Sequence, residues 1–177
     1  VTIGVVGKYT NLKDSYKSLN EALIHGGIEN STKVEIKWIN AEKLNKKNIN
    51  IQLSNCDGIL VPGGFGLRGI GGKIQAIRYA RVNDIPFFGI CLGMQLAVIE
   101  IARNVLKLKN ANSSEFSSTS KSVVGLMTEW IKNNKIETRT KDSNKGGTMR
   151  LGSYKAKLKK NTKIYSIYKK NMISERH

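Results

Sequence analysis

Pro86-Phe87-Phe88-Gly89-Ile90-Cys91-Leu92-Gly93-Met94-Gln95 is an apolar run that stops at Gly-x-Cys-x-Gly and then turns helical in character. This is the cysteine form of a nucleophile elbow, in which a reactive side chain is held at a sharp strand-to-helix turn and pushed out of the sheet. The turn is tight and its backbone strained, so the neighbours must be small, which accounts for Gly89 and Gly93. A thiol at a helix N-terminus feels the positive end of the helix dipole, which favours the thiolate. Backbone N–H groups at the same place have no intrahelical acceptor and are available to an oxyanion. The competing reading is a buried structural cysteine in a glycine-containing loop.

The segments before the elbow alternate strand and helix. Val1–Val6 is a continuous apolar strand of the kind found in a parallel sheet covered on both faces. Leu12, Tyr16, Leu19 and Leu23 recur at helical spacing, and Gly26-Gly27 is expected to end that helix. Val34–Ile39 alternates as a strand. Ala41–Leu53 is polar and Asn-rich, which predicts a short helix in a poorly packed region. Asp57–Val61 is a third strand running into Pro62-Gly63-Gly64-Phe65-Gly66. Ile70, Ile74, Ala76, Ile77 and Ala80 form the next amphipathic helix, and Ile85–Ile90 is the strand that feeds the elbow. The helix after it, through Ala102, is apolar nearly all round, which predicts burial in the middle of a domain.

This order predicts an α/β fold. It is a doubly wound, mostly parallel central sheet with flanking helices and right-handed crossovers, flavodoxin-like in architecture. Its active site belongs beyond the C-terminal ends of the strands, where both Gly63–Gly66 and Gly89–Gly93 lie. Beyond Leu108 the pattern weakens. Asn110–Ser122 reads as a polar loop, Val123–Met127 as a short strand, Asn133–Asn144 as a mobile turn, and Thr148–Leu151 and Tyr154–Leu158 as two half-buried strands. No internal repeat and no linker is visible.

Composition narrows the class. A chain of 177 residues is long enough for one domain with a hydrophobic core. No stretch is long and apolar enough to cross a membrane, no signal peptide is visible, and two cysteines make no disulfide framework. A cytoplasmic protein is expected. The formal charge of +17 raises the question of nucleic acid. The lysines are scattered through loops instead of striped along a helix with aromatics between them, so no nucleic-acid partner is expected. Gly7-Lys8-Tyr9-Thr10 looks briefly like the end of a phosphate loop, but Gly4 is too close and Tyr9 stands where Ser or Thr would hold a metal.

Three further features bear on the cysteine. Gly63 and Gly64 leave their N–H groups unhindered after a strand, as an oxyanion site needs. Gln95 lies one helical turn beyond Cys91 on the same face. Glu115 is a carboxylate in the polar loop Asn112-Ser113-Ser114-Glu115-Phe116. No metal-ligand cluster is expected.

Pro62-Gly63-Gly64-Phe65-Gly66-x-Arg68-Gly69, Gly89–Gln95, Ala111–Phe116 and Gly146-Gly147-Thr148-Met149-Arg150-Leu151-Gly152 occur in that order. Together they resemble the glutamine amidotransferase (triad, class I) domain of the CTP synthase family, from Val1 to His177. The first two motifs belong to triad amidotransferases in general; the last two point to the CTP synthase branch. The resemblance implies hydrolysis of L-glutamine, with Cys91 as nucleophile forming a glutamyl thioester. It implies that the backbone N–H groups of Gly63 and Leu92 hold the oxyanion. Gly64, Phe65, Leu92, Gly93, Met94, Gln95 and Glu115 would line the glutamine site, Glu115 pairing the substrate α-ammonium.

The same resemblance implies no cofactor in this domain. ATP and Mg²⁺ serve a separate synthetase domain of the same polypeptide that aminates UTP to CTP. GTP acts as allosteric activator, with Arg68 the cation expected to meet it, and the full-length protein is a homo-oligomer, a tetramer in the family.

Two departures stand out. Family members often carry a carboxylate where this chain has Gly71. The family's catalytic His and Glu, and the Arg for the substrate carboxylate, are placed by the resemblance in a downstream segment that these residues do not contain. His25 and His177, the histidines present, match no such motif. A fragment of a larger enzyme is therefore expected, spanning 1–177 of the glutaminase domain without its C-terminal part and without the synthetase domain. The alternative is another cysteine hydrolase of the same fold, some of which carry a His where Leu92 follows Cys91. A third reading is a non-enzymatic basic module.

Overall fold

The computed structural model describes residues 1–8, 13–117, 121–132, 135–138 and 152–176. These fall into two compact units, Val1–Met127 and Thr128–His177, although no linker marks the boundary in the sequence.

The first unit is built on a four-stranded parallel sheet in the order β2-β1-β3-β4. Its strands are β1 (Thr2–Gly7), β2 (Glu35–Asn40), β3 (Gly58–Val61) and β4 (Phe87–Gly89). Helices α1 (Lys17–Glu29), α2 (Ile49–Leu53), α3 (Ile70–Val82) and α4 (Leu92–Asn104) alternate with them, α1 following a 3₁₀ turn at Lys13–Tyr16. Val6, Ile59 and Val61 share one core with Ala76, Ile77, Ala80, Leu92, Leu96 and Ile99 of α3 and α4. Val5 and Leu60, the alternating residues, are buried as well, so the central strands are covered on both faces. After α4, β5 (Asn112–Ser113) and β6 (Ser122–Val124) form a short parallel pair. No helix among the described residues is long and apolar enough to cross a membrane.

Several expectations need correction. Gly26-Gly27 does not end α1, which runs on to Glu29. The helix stops where the backbone and side-chain amides of Asn30 turn back onto the Gly26 carbonyl, before Ser31 adopts a left-handed φ of 49°. Gly27 serves close packing instead, since a Cβ there would lie 2.6 Å from the Thr32 carbonyl oxygen. Nor is the segment from Ala41 to Leu53 poorly packed, because Ala41, Leu44 and Leu53 all belong to the core. Gly72 of α3 makes that possible, since its Cβ would lie 2.0 Å from the Ala41 oxygen. Helix α4 is not buried all round. Met94, Val98 and Ile101 are exposed along one face while Leu92, Leu96 and Ile99 take the core.

The second unit comprises two antiparallel ribbons and a helical turn. Strands β7 (Glu129–Lys132) and β8 (Lys135–Thr138) pair, as do β9 (Ser153–Lys157) and β10 (Met172–Arg176), with α5 (Lys163–Tyr168) between the latter two. Strand β9 was expected half-buried, yet all five of its residues are exposed. Its alternation of Tyr154 and Ala156 with lysines matches a two-stranded ribbon whose residues stay exposed. The strand expected at Thr148–Leu151, the turn region 133–134 and 139–144, the Gly146–Leu151 motif, Leu12, and His177 lie outside the described residues.

Candidate active site

Strands β3 and β4 run parallel in register, with Val61 opposite Gly89, so the turns that follow them emerge side by side. The Ile90 N–H donates to the Val61 carbonyl at 3.0 Å, pinning the start of the second turn to the end of β3. Helix α4 begins directly on that point. A Cβ at Gly93 would lie 2.0 Å from the Val61 oxygen, and one at Gly89 2.6 Å from the Gly93 carbonyl carbon. No side chain fits at either place. The Gly-x-Cys-x-Gly pattern is thus a packing requirement of strand against helix.

Cys91 is the residue before α4, with φ 51° and ψ −106°, a left-handed conformation that a non-glycine residue avoids. The Gly93 N–H donates to Ile90 O at 2.8 Å and the Gln95 N–H to Cys91 O at 3.1 Å, so the turn is braced from both sides. The residue is exposed. The other thiol, Cys56, is buried beneath Gly4 on β1, and burial pushes its pKa up.

The turn after β3 meets the cysteine. A Cβ at Gly63 would come 3.4 Å from Cys91 Cβ, and one at Gly64 3.8 Å from Leu92 Cδ2. Leu92 is buried, and its N–H stands at the first position of α4, where helix geometry provides no acceptor. Two separate turns therefore bring Gly63, Gly64, Leu92 and Gly93 around one exposed thiol. Gln95 is half-buried one turn along α4, Met94 is exposed, and Phe65 is exposed in the glycine turn.

Glu115 is drawn to the same turn. Its carboxylate accepts from the Gly66 N–H at 2.9 Å, and its own N–H donates to Ser113 Oγ at 3.2 Å. On the other side of that peptide, Lys8 Nζ donates to the Phe65 carbonyl. The Phe65–Gly66 peptide is thus held between an ammonium and a carboxylate. Arg68 is directed elsewhere, with Nε 3.2 Å from Glu42 Oε1 in a solvent-exposed ion pair. Gly71, where the resemblance led us to note a missing carboxylate, has nothing within 4 Å of a Cβ position, so a side chain would fit. Among the described residues no group of three or more His, Cys, Asp or Glu is placed to hold a metal.

Two residues at this site escaped the sequence reading. Lys8 follows the end of β1 and was discarded with the rejected phosphate loop. Lys73 is fully buried in the first turns of α3. A signal existed, since Lys73 occupies the core-facing position between Ile70, Ile74 and Ile77. Burial, reinforced by the Lys8 charge, lowers the pKa of Lys73 to about 8.

The family model for glutamine amidotransferase class-I matches residues 11–177. CTP synthase of Rhizobium leguminosarum bv. trifolii is 58% identical over 100% of this chain, and that of Maridesulfovibrio salexigens 56% over 99% of it. The chain spans 33% of the length of these curated relatives. The glutaminase domain of Trypanosoma brucei CTPS, solved with bound acivicin, superimposes with a TM-score of 0.82 at 39% identity, covering 100% of this chain and 66% of that one.

Proposed function

The chain belongs to the class-I glutamine amidotransferase family, and from that premise we propose that it is the glutamine-hydrolysing part of a CTP synthase. The observation that carries this reading is the approach of the Gly63 turn to Cys91, 3.4 Å from a Cβ at Gly63 to Cys91 Cβ, with the thiol exposed at the start of α4. Cys91 Sγ attacks the side-chain amide carbon of L-glutamine and the carbonyl oxygen takes the negative charge. The Gly63 and Leu92 N–H groups face that oxygen. Collapse breaks the C–N bond, ammonia leaves, and a γ-glutamyl thioester remains on Cys91. Water then hydrolyses the thioester to glutamate and restores the thiol. The thiol proton goes to the base that the resemblance places downstream, which hands it to the departing nitrogen so that the leaving group is NH3.

Gly64, Phe65, Gly93, Met94 and Gln95 line the substrate in this reading. Glu115, which already accepts from Gly66 N–H, uses its remaining acceptor capacity for the substrate α-ammonium. The ammonia serves a synthetase domain that uses ATP and Mg²⁺ to aminate UTP, within a homo-oligomer. GTP as activator would meet Arg68 only by displacing or sharing its Glu42 partner.

Acivicin, bound in the trypanosomal relative, is the reagent of choice here. We expect mass spectrometry to find it attached at Cys91. In the polypeptide that joins this chain to a synthetase domain, Cys91→Ala should lose glutamine-dependent CTP formation and keep the ammonia-dependent reaction. Equal loss with both nitrogen sources would remove Cys91 from the role given to it.

A further inference from the structure

Lys73 is costly to the fold in three ways. Its side chain is fully buried, and its Nζ has no hydrogen-bond partner among the described residues. An unpaired buried ammonium is unfavourable by desolvation alone. It also sits in the opening turns of α3, at the positive end of that helix dipole. Finally, it lies beside a second lysine. A Cβ at Gly64 would be 3.8 Å from Lys73 Nζ and equally 3.8 Å from Lys8 Cε. A methionine would fill the same volume with none of these penalties.

What the two lysines share is the glycine turn. Lys8 comes from the end of β1 and donates to the Phe65 carbonyl, and Lys73 comes from α3 and stands under Gly64. The neighbouring residue, Gly63, meets Cys91. The other charges on this stretch are engaged: Glu115 is on the Gly66 N–H and Arg68 is on Glu42. Two cations behind a turn whose N–H groups face developing negative charge act in a medium of low dielectric, where such charge is felt strongly.

We propose that Lys73 is a positioning residue of the reaction, lending its positive charge to the oxyanion that forms at the Gly63–Gly66 turn, which Lys8 holds through the Phe65 carbonyl. This rests on the glutaminase reading above. It assigns Lys73 to the tetrahedral state and not to ground-state binding. Removing its charge should therefore stabilise the fold while weakening the site. A lysine kept for structure alone would do the reverse.

The test uses the γ-aldehyde analogue of glutamine, carrying ¹³C at the aldehyde carbon, and L-glutamine bound to Cys91→Ala, whose neutral amide forms no oxyanion. In the polypeptide that joins this chain to its downstream segment and synthetase domain, otherwise unaltered, the aldehyde should add Cys91 Sγ across its C=O as a hemithioacetal, seen as a shifted ¹³C resonance that Cys91→Ala abolishes. In Lys73→Met the aldehyde affinity should fall at least about tenfold, within the range seen when one oxyanion donor is lost. L-Glutamine affinity, compared with and without Lys73→Met in the Cys91→Ala background, should stay within about twofold and the thermal midpoint should hold or rise. Unchanged aldehyde affinity overturns the proposal. So does a parallel loss of both affinities with a lowered midpoint, which would make Lys73 structural. Should Lys73→Met be insoluble, Lys73→Gln read the same way decides, with selective loss of aldehyde affinity expected and no selective loss overturning. Absence of the hemithioacetal in the unaltered protein fells the glutaminase reading, and this inference with it.

Discussion

Gly93 is the residue on which the geometry of the thiol depends. Its Cβ position lies 2.0 Å from the Val61 oxygen, and that oxygen also accepts the Ile90 N–H. Gly93→Ala must push α4 off the end of β3, and with it the left-handed backbone at Cys91. A cost of about 3 kcal/mol is expected, since backbone cannot yield as a side chain can. Acivicin labelling of Cys91 should fall at least about tenfold, by the displacement of reacting groups. Denaturant titration and mass spectrometry check the two effects separately, and a stable variant that labels normally would contradict the close contact. The glycine pattern was legible in the sequence because its cause is local: strand, turn and helix within one short stretch. Lys73 was legible only in its burial, as a lysine on the core-facing side of α3 among Ile70, Ile74 and Ile77; its neighbours Lys8 and Gly64 come from distant stretches and leave no mark on local pattern.

At the scale of elements, α3 and α4 are bolted together by one charge pair. Glu100 of α4 is fully buried and accepts from Arg81 Nε at 2.9 Å and from a second guanidinium nitrogen at 2.8 Å, with Asn104 Nδ2 at 3.0 Å on the same carboxylate. The hydrogen bond to Glu100 raises the pKa of Arg81. Cutting one partner leaves a buried carboxylate unpaired, so Arg81→Met should cost about 3 kcal/mol of stability. Arg81→Met with Glu100→Leu should recover most of it, because an apolar pair needs no partner. A double variant no more stable than Arg81→Met would show that the pair does more than neutralise itself. This contact explains why α4 was misjudged as apolar all round. Within the run Leu96–Ala102, the charged Glu100 is buried while the apolar Val98 and Ile101 are exposed. Strand and helix alternation was legible because each element's periodicity is its own. The fate of Gly26-Gly27 was not, since Gly27 answers to Thr32 and Val34, residues beyond the helix.

Over the whole molecule, the two units differ in how their strands are protected. In the first, the central strands β1 and β3 are hydrogen-bonded on both edges and buried on both faces. That is why their apolar runs announced a parallel sheet, with the Gly63 and Cys91 turns following its C-terminal strand ends. In the second, β9 pairs among the described residues with β10 alone and all its residues are exposed, so its sequence carries little more than alternation. Stability in the native state should follow the same division. An amide in a buried central strand exchanges only when the unit opens as a whole, whereas a two-stranded ribbon opens by itself at low cost. We expect the amides of Val5, Val6, Leu60 and Val61 to exchange with solvent deuterium slower than those of Tyr154 to Lys157 by on the order of a thousandfold, a difference of about 4 kcal/mol in opening energy. Peptide-resolved mass spectrometry measures both in one experiment. Equal protection in β9 would mean that a covering partner lies over this ribbon in solution, and the faces to search for it would be those that Tyr154 and Ala156 present.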